Sequence, residues 1–162
     1  MKANALRLVC VGMVSLATAA HATIISVNFT ESADNHANQQ IAGGTSAGIA
    51  SATNWNNTGG VPGTLGSLGD ADGNTTTASV TWGAAGVWGD GTANDDANIG
   101  VGDAQLARGY LDENPSPGVT FDVTGIPYDA YDVIVYLSTD TEGGNYLPFT
   151  INGGSYSTTG TK

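Results

Sequence analysis

The chain has 162 residues and is strongly acidic: 15 Asp and Glu residues against 4 Lys and Arg residues give a formal net charge of -11. A surface of this sign repels the phosphates of nucleic acid and anionic lipid, which excludes nucleic-acid binding and favours cations or neutral partners such as glycans. Residues 23–162, which follow a predicted export signal, have the length of one domain.

The first 22 residues have the pattern of an export signal. Lys2 and Arg7 give a positive start, residues 8–17 form an apolar run, and Ala20-His21-Ala22 forms a small-x-small cleavage box. The run is too short to span a bilayer, which takes about 20 residues. We expect bacterial export to the surface or the medium, with no membrane insertion afterwards. Cleavage would remove the only cysteine and two positive charges, which moves the net charge from -11 to -13.

Alternating apolar and polar residues predict short strands. Residues 131–137 (YDVIVYL) are apolar on both faces, which predicts a central strand covered on both sides. One short helix is predicted over residues 103–110, and Asn152-Gly153-Gly154 predicts a hairpin turn. The other predicted strands, with their inward residues, are 24–29 (Ile25, Val27, Phe29), 78–82 (Val80, Trp82), 119–123 (Val119, Phe121, Val123) and 147–151 (Leu147, Phe149, Ile151).

This pattern predicts an all-β protein, a jelly-roll-like β-sandwich over residues 23–162. Residues 31–73 are rich in Gly, Asn, Ser and Ala and predict a long loop region, which is either functional or loosely ordered. The sequence stops directly after a predicted strand, so we expect a fragment truncated at its C-terminus.

Several segments, taken in order, resemble a known set of secreted modules. They are 25–29 (ISVNF), 54–57 (NWNN), 78–82 (ASVTW), 109–112 (GYLD) and 123–136 (VTGIPYDAYDVIVY). Together they are similar to the galactose-binding-like jelly-roll modules of exported bacterial proteins, often in chains with a PEP-CTERM sorting tag. The resemblance implies a jelly-roll fold and a surface or matrix setting. It implies no particular ligand, and the tag and last strands are missing from this sequence.

Catalysis by a nucleophile or by zinc is disfavoured by the residue inventory. Beyond the signal, the chain has one histidine, His36, and no cysteine, and it contains no G-x-S-x-G segment. Paired carboxylates leave a glycosidase as a distant third hypothesis. We therefore predict that the chain is not an enzyme.

Two acidic loops are candidates for calcium, the one cofactor that the sequence suggests. Asp70, Asp72 and Asn74 place oxygen-bearing side chains at alternate positions, as a loop around a hard cation requires. Asp90, Asp95 and Asp96 form the second candidate set. The alternative is an Asx-rich turn without metal, since Asp, Asn and Gly favour turns on their own.

Two tryptophans and their neighbours are the candidate ligand-binding residues. Trp55 and Trp88 lie in loop-like contexts and could stack on sugar rings, whereas Trp82 alternates with Val80 and is predicted to be in the core. Asn54, Asn56 and Asn57 could hydrogen bond to a glycan or simply form turns. The leading hypothesis is a surface or matrix module that binds glycan; the alternative is a structural or spacer protein with no small ligand.

Overall fold

The structure is a computed structural model that describes residues 23–30, 39–89, 101–112, 118–136, 146–151 and 154–159. The predicted signal, His36 and the predicted metal ligands Asp90, Asp95 and Asp96 lie outside these residues. Contacts divide the chain into two compact units, Met1–Pro127 and Tyr128–Lys162. Among the described residues, no helix is long and apolar enough to cross a membrane.

The regular structure described in the first unit consists of short strands and one helix. A parallel pair joins β1 (Val27–Asn28) to β2 (Asn56–Asn57). An antiparallel sheet has the order β3 (Gly63–Leu65), β4 (Ser79–Gly83) and β7 (Thr120–Thr124). A ribbon pairs β5 (Gly86–Gly89) with β6 (Gly109–Asp112), and the one described helix, α1 (Val101–Arg108), precedes β6 directly.

The second unit contains an antiparallel hairpin of β8 (Tyr146–Ile151) and β9 (Gly154–Thr159). Ile151 pairs with Gly154, which confirms the hairpin predicted from the Asn-Gly-Gly turn. The all-β class is thus confirmed for the described part of the chain, with a single short helix.

Two apolar clusters fill the first unit. One is formed by Ile41, Ala47, Ala52 and Trp55. The other is formed by Leu68, Ala78, Val80 and Trp82, and the side chains packed against it include Ile25, Val27 and Phe29. The predicted inward faces of residues 24–29 and of β4 are therefore confirmed, and so is the core position of Trp82.

The apolar face of β7 is only partly covered. Phe121 and Val123 are paired with Trp82 and Val80 of β4, so they lie on the predicted face. Phe121 reaches the Phe29 ring, with centroids 6.5 Å apart, but it remains 44% exposed. The prediction was right about the face and wrong about burial, because β7 is at an edge of its three-stranded sheet.

The prediction of a central strand at 131–137 is wrong for the residues that the structure describes. Residues 131–136 form no strand, and Tyr131 and Val133 are each 54% exposed. A run that is apolar on both faces becomes a central strand only where neighbours cover both faces and both edges. The described residues supply no such pair of neighbouring strands.

Residues 39–73, the described part of the predicted loop region 31–73, hold more order than their composition predicts. Within its described part, 39–73, lie β2, β3 and an antiparallel bridge between Ala47 and Ala52. A second bridge links Gly69 to Thr75. These elements are two or three residues long, too short to produce an alternation that sequence patterns can reveal.

Candidate functional site

The N-terminal segment 24–30 is buried on both of its faces. Its apolar residues contact the Trp82 cluster, and its polar residues Ser26, Asn28 and Thr30 are only 8%, 1% and 0% exposed. Buried polar groups need hydrogen-bond partners, because an unpartnered group loses the bonds that it made to water. The residues that supply those partners come from the asparagine-rich stretch that sequence analysis selected as a ligand site.

The side-chain amides of two neighbouring asparagines make hydrogen bonds of the kind that the backbone of a neighbouring β-strand makes. The Asn56 side chain accepts a hydrogen bond from Gly69 N and donates one to Gly69 O, both at 2.8 Å. The Asn57 side chain accepts from Ile41 N and donates to Ile41 O, both at 2.9 Å. In each case one amide binds the N–H and the C=O of the same residue, as a paired strand does.

The same asparagines bind β1 as well. Asn56 Nδ2 also donates to Ser26 O at 2.8 Å, and the Asn56 backbone N–H donates to the same oxygen at 2.9 Å. Asn28 Nδ2 donates to Asn57 Oδ1 at 2.9 Å. Side chains therefore add to the backbone hydrogen bonds that join the two-residue strands β1 and β2. We call the three residues that supply them, Asn28, Asn56 and Asn57, the asparagine clamp.

The remaining candidate ligand residues of this stretch also have internal partners. Asn54 Nδ2 donates to Ala71 O at 2.8 Å, and Asn54 has a positive φ of 53°. Trp55 is 9% exposed, lies in the Ile41 cluster and donates from Nε1 to Ala52 O at 2.9 Å. Neither face of a buried indole is open for stacking on a sugar ring.

Asp70 lies at the centre of the first predicted calcium loop and is 5% exposed. Its Oδ1 accepts hydrogen bonds from Asn74 N at 2.8 Å and Asp72 N at 3.0 Å, and the Asn74 side-chain amide contacts both carboxylate oxygens. The Asn74 backbone hydrogen bond is the main cause that lowers the pKa of Asp70, and it outweighs burial, which raises it. The carboxylate is thus the hydrogen-bond centre of an Asx turn.

The other two candidate ligands of this loop, Asp72 and Asn74, are exposed, and they close the turn by donating hydrogen bonds to Asp70. Asp72 and Asn74 follow Asp70 into solvent, and Gly73 takes a φ of +84° to complete the reversal. Across the described residues, no group of three or more His, Cys, Asp or Glu side chains is placed to hold a metal ion. The hydrogen bonds that Asp70 accepts are those of the turn itself. Calcium binding at this loop stays a prediction.

Trp88 has a different setting from Trp55. It lies in β5, directly opposite Tyr110 of β6, and Tyr110 is 44% exposed. The side chain of Trp88 lies outside the described part. The structure therefore separates the two candidate tryptophans: Trp55 belongs to the core together with Trp82, and Trp88 pairs with an exposed aromatic position on a two-stranded ribbon.

Several residues important to this region were not predicted from the sequence as site residues, namely Asn28, Thr30, Gln39 and Thr58. Thr30 Oγ1 donates to Thr58 O at 2.8 Å, and Thr58 N donates to Asn28 O at 2.9 Å. The available signal was the alternation itself, because Ser26, Asn28 and Thr30 all have side chains suited to hydrogen bonding. Polar residues facing away from an apolar strand face are usually solvated, so that signal is weak.

Comparison with known proteins gave no match: no protein-family model, no curated protein and no solved structure is detectably similar to this chain.

Proposed function

We propose that this chain is an exported, non-catalytic structural module of the bacterial surface or extracellular matrix, built as a jelly-roll-like β-sandwich. One observation carries the proposal. Four of the candidate ligand residues are used inside the protein: Trp55 lies in a core cluster, Asn54 and Asn56 bind backbone groups, and Asp70 forms its own turn. A loop region organised in this way serves stability.

The remaining support comes from composition and pattern. The export signal and the excess of acidic residues suit a protein outside the cell that does not bind nucleic acid. The resemblance to galactose-binding-like modules points to the same setting. The β-sandwich arrangement is our proposal, and it is consistent with the all-β class of the described residues.

Glycan binding is the second candidate, and the position of Trp88 favours it. Trp88 and Tyr110 occupy directly opposed positions on the β5–β6 ribbon, and Tyr110 is exposed. Neighbouring aromatics on a surface can form a platform for sugar rings. In this proposal Trp55 stabilises the core and takes no part in binding.

The proposal is tested by two measurements, one of glycan binding and one of localisation. The purified chain is screened on a glycan microarray, with and without Ca²⁺, and the natural host is fractionated into cytoplasm, envelope and medium. The structural proposal expects the chain in the envelope or matrix fraction and no saturable glycan binding. Saturable binding that is lost in Trp88→Ala and Tyr110→Ala, and kept in the exposed-strand control Phe121→Ser, would replace it with the glycan proposal.

A further inference from the structure

The asparagine clamp adjoins amide groups that are enclosed and have no hydrogen-bond partner among the described residues. Gln39 is 0% exposed, and within the described part of the chain neither Nε2 nor Oε1 makes a hydrogen bond. Asn28 is 1% exposed, and its Oδ1 likewise has no partner among the described residues. Enclosed amides without partners are rare in folded proteins, because each forfeits its bonds to water.

These unpartnered atoms belong to residues in direct contact. Asn28 Nδ2 donates to the backbone oxygen of Gln39 at 2.9 Å, so the amide plane that carries Oδ1 lies beside the Gln39 main chain. The other hydrogen bond of Nδ2, to Asn57 Oδ1, fixes the orientation of that plane. Oδ1 therefore cannot be satisfied by exchanging the two ends of the Asn28 amide, because both donor contacts would be lost.

The hydrogen-bonding requirements of these three atoms indicate which kind of molecule could bind to them. Asn28 Oδ1 and Gln39 Oε1 require a donor, whereas Gln39 Nε2 requires an acceptor. A metal ion leaves the N–H groups unsatisfied, and an anion cannot donate to two carbonyl oxygens. A small neutral molecule that both donates and accepts can bind atoms of either kind, and water is such a molecule in enclosed polar sites.

We infer that Gln39 and Asn28 form an internal hydration site that binds ordered water beside the parallel pair β1–β2. The water completes the polar network on the buried face of the N-terminal segment. It is therefore a structural component of the asparagine clamp, and its exchange with bulk solvent requires the segment to open.

The inference can be tested by NMR on the purified chain with natural sequence. Water–protein cross-relaxation spectra report whether the Gln39 side-chain NH₂ protons contact water that stays bound for longer than the tumbling time. We expect cross-peaks of the sign typical of long-lived water. They should persist in the matched neighbour control Gln40→Met.

Stability provides the second readout. Loss of a satisfied hydrogen bond by Gln39→Met should raise the unfolding equilibrium constant roughly five- to tenfold. An unhydrated, unpartnered amide predicts the opposite sign, because its replacement by an apolar side chain removes a penalty. A wild-type spectrum without long-lived water at Gln39, or an unfolding constant for Gln39→Met at or below the wild-type value, would overturn the inference.

Discussion

Replacing Asn56 by alanine should destabilise the fold far more than its half-buried position suggests. The side chain makes three hydrogen bonds, all at 2.8 Å: it donates to Ser26 O and Gly69 O and accepts from Gly69 N. A net contribution of about 1 kcal/mol for each gives about 3 kcal/mol. Ser26 O retains the Asn56 backbone N–H as a donor, whereas Gly69 loses both partners, so we expect a loss of about 2–4 kcal/mol.

A loss of that size is a large part of the whole stability of a domain, which is typically about 5–15 kcal/mol. The measurement is urea unfolding followed by tryptophan fluorescence and by far-UV circular dichroism. The free-energy change is taken from the transition midpoint with an unchanged slope. Coincidence of the two probes would justify the two-state treatment.

The matched control is Asn54→Gly, two residues before Asn56. Asn54 makes one side-chain hydrogen bond and has a positive φ, which glycine adopts more easily. The lost bond and the relieved strain should nearly cancel, leaving a change within about 1 kcal/mol of zero. If Asn56→Ala costs less than about 0.5 kcal/mol, or less than Asn54→Gly, the clamp does not hold this region and our reasoning fails.

Three further predictions concern packing, acid stability and the exposed strand. Gly63→Ala should cost about 1–3 kcal/mol in chemical unfolding, because a Cβ there overlaps the indole of its cross-strand partner, whereas Gly66→Ala, with nothing within 4 Å, should be neutral. The lowered pKa of Asp70 means that its carboxylate stabilises the fold above the unfolded pKa of about 3.9, and that this stabilisation is lost as pH falls through the folded pKa. The stability advantage of the wild type over Asp70→Asn should therefore shrink below about pH 4 in a series of melts; an advantage independent of pH would contradict this. Phe121→Ser should reduce binding of a hydrophobic dye and cost less than about 1.5 kcal/mol, because that ring is 44% exposed; an unchanged dye signal would show that the ring is not an accessible apolar surface.

The alternation of apolar residues along the strands was predictable from the sequence, whereas the hydrogen-bond partners of the polar residues were not. Alternation placed Ile25, Val27 and Phe29 on one face and Val80 with Trp82 on another, because a period of two is a direct consequence of strand geometry. Burial at β7 depends on which strands lie beside it, and no local pattern carries that information. In Thr120–Thr124, for example, all five residues are exposed although their apolar and polar side chains alternate.

The candidate site shows the same limit at the level of single side chains. Asparagine in a glycine-rich stretch is equally compatible with a turn, a ligand contact or a bond to a distant backbone group. Asn57 binds Ile41, 16 positions away, and Asn56 binds Gly69, 13 positions away. Only the folded chain brings those groups together, so the sequence identified the important stretch without its role.

The asparagine clamp also has a consequence for chemical ageing. Deamidation of Asn57 would exchange its N–H₂ group for a carboxylate oxygen facing the Ile41 carbonyl, turning an attraction into a repulsion. The reaction needs the next backbone nitrogen to attack the side-chain carbon, and that nitrogen, of Thr58, is held by Asn28 O at 2.9 Å. Damage at Asn57 should therefore accumulate only while the clamp is open, so the rate of deamidation records how often the folded protein opens over its lifetime.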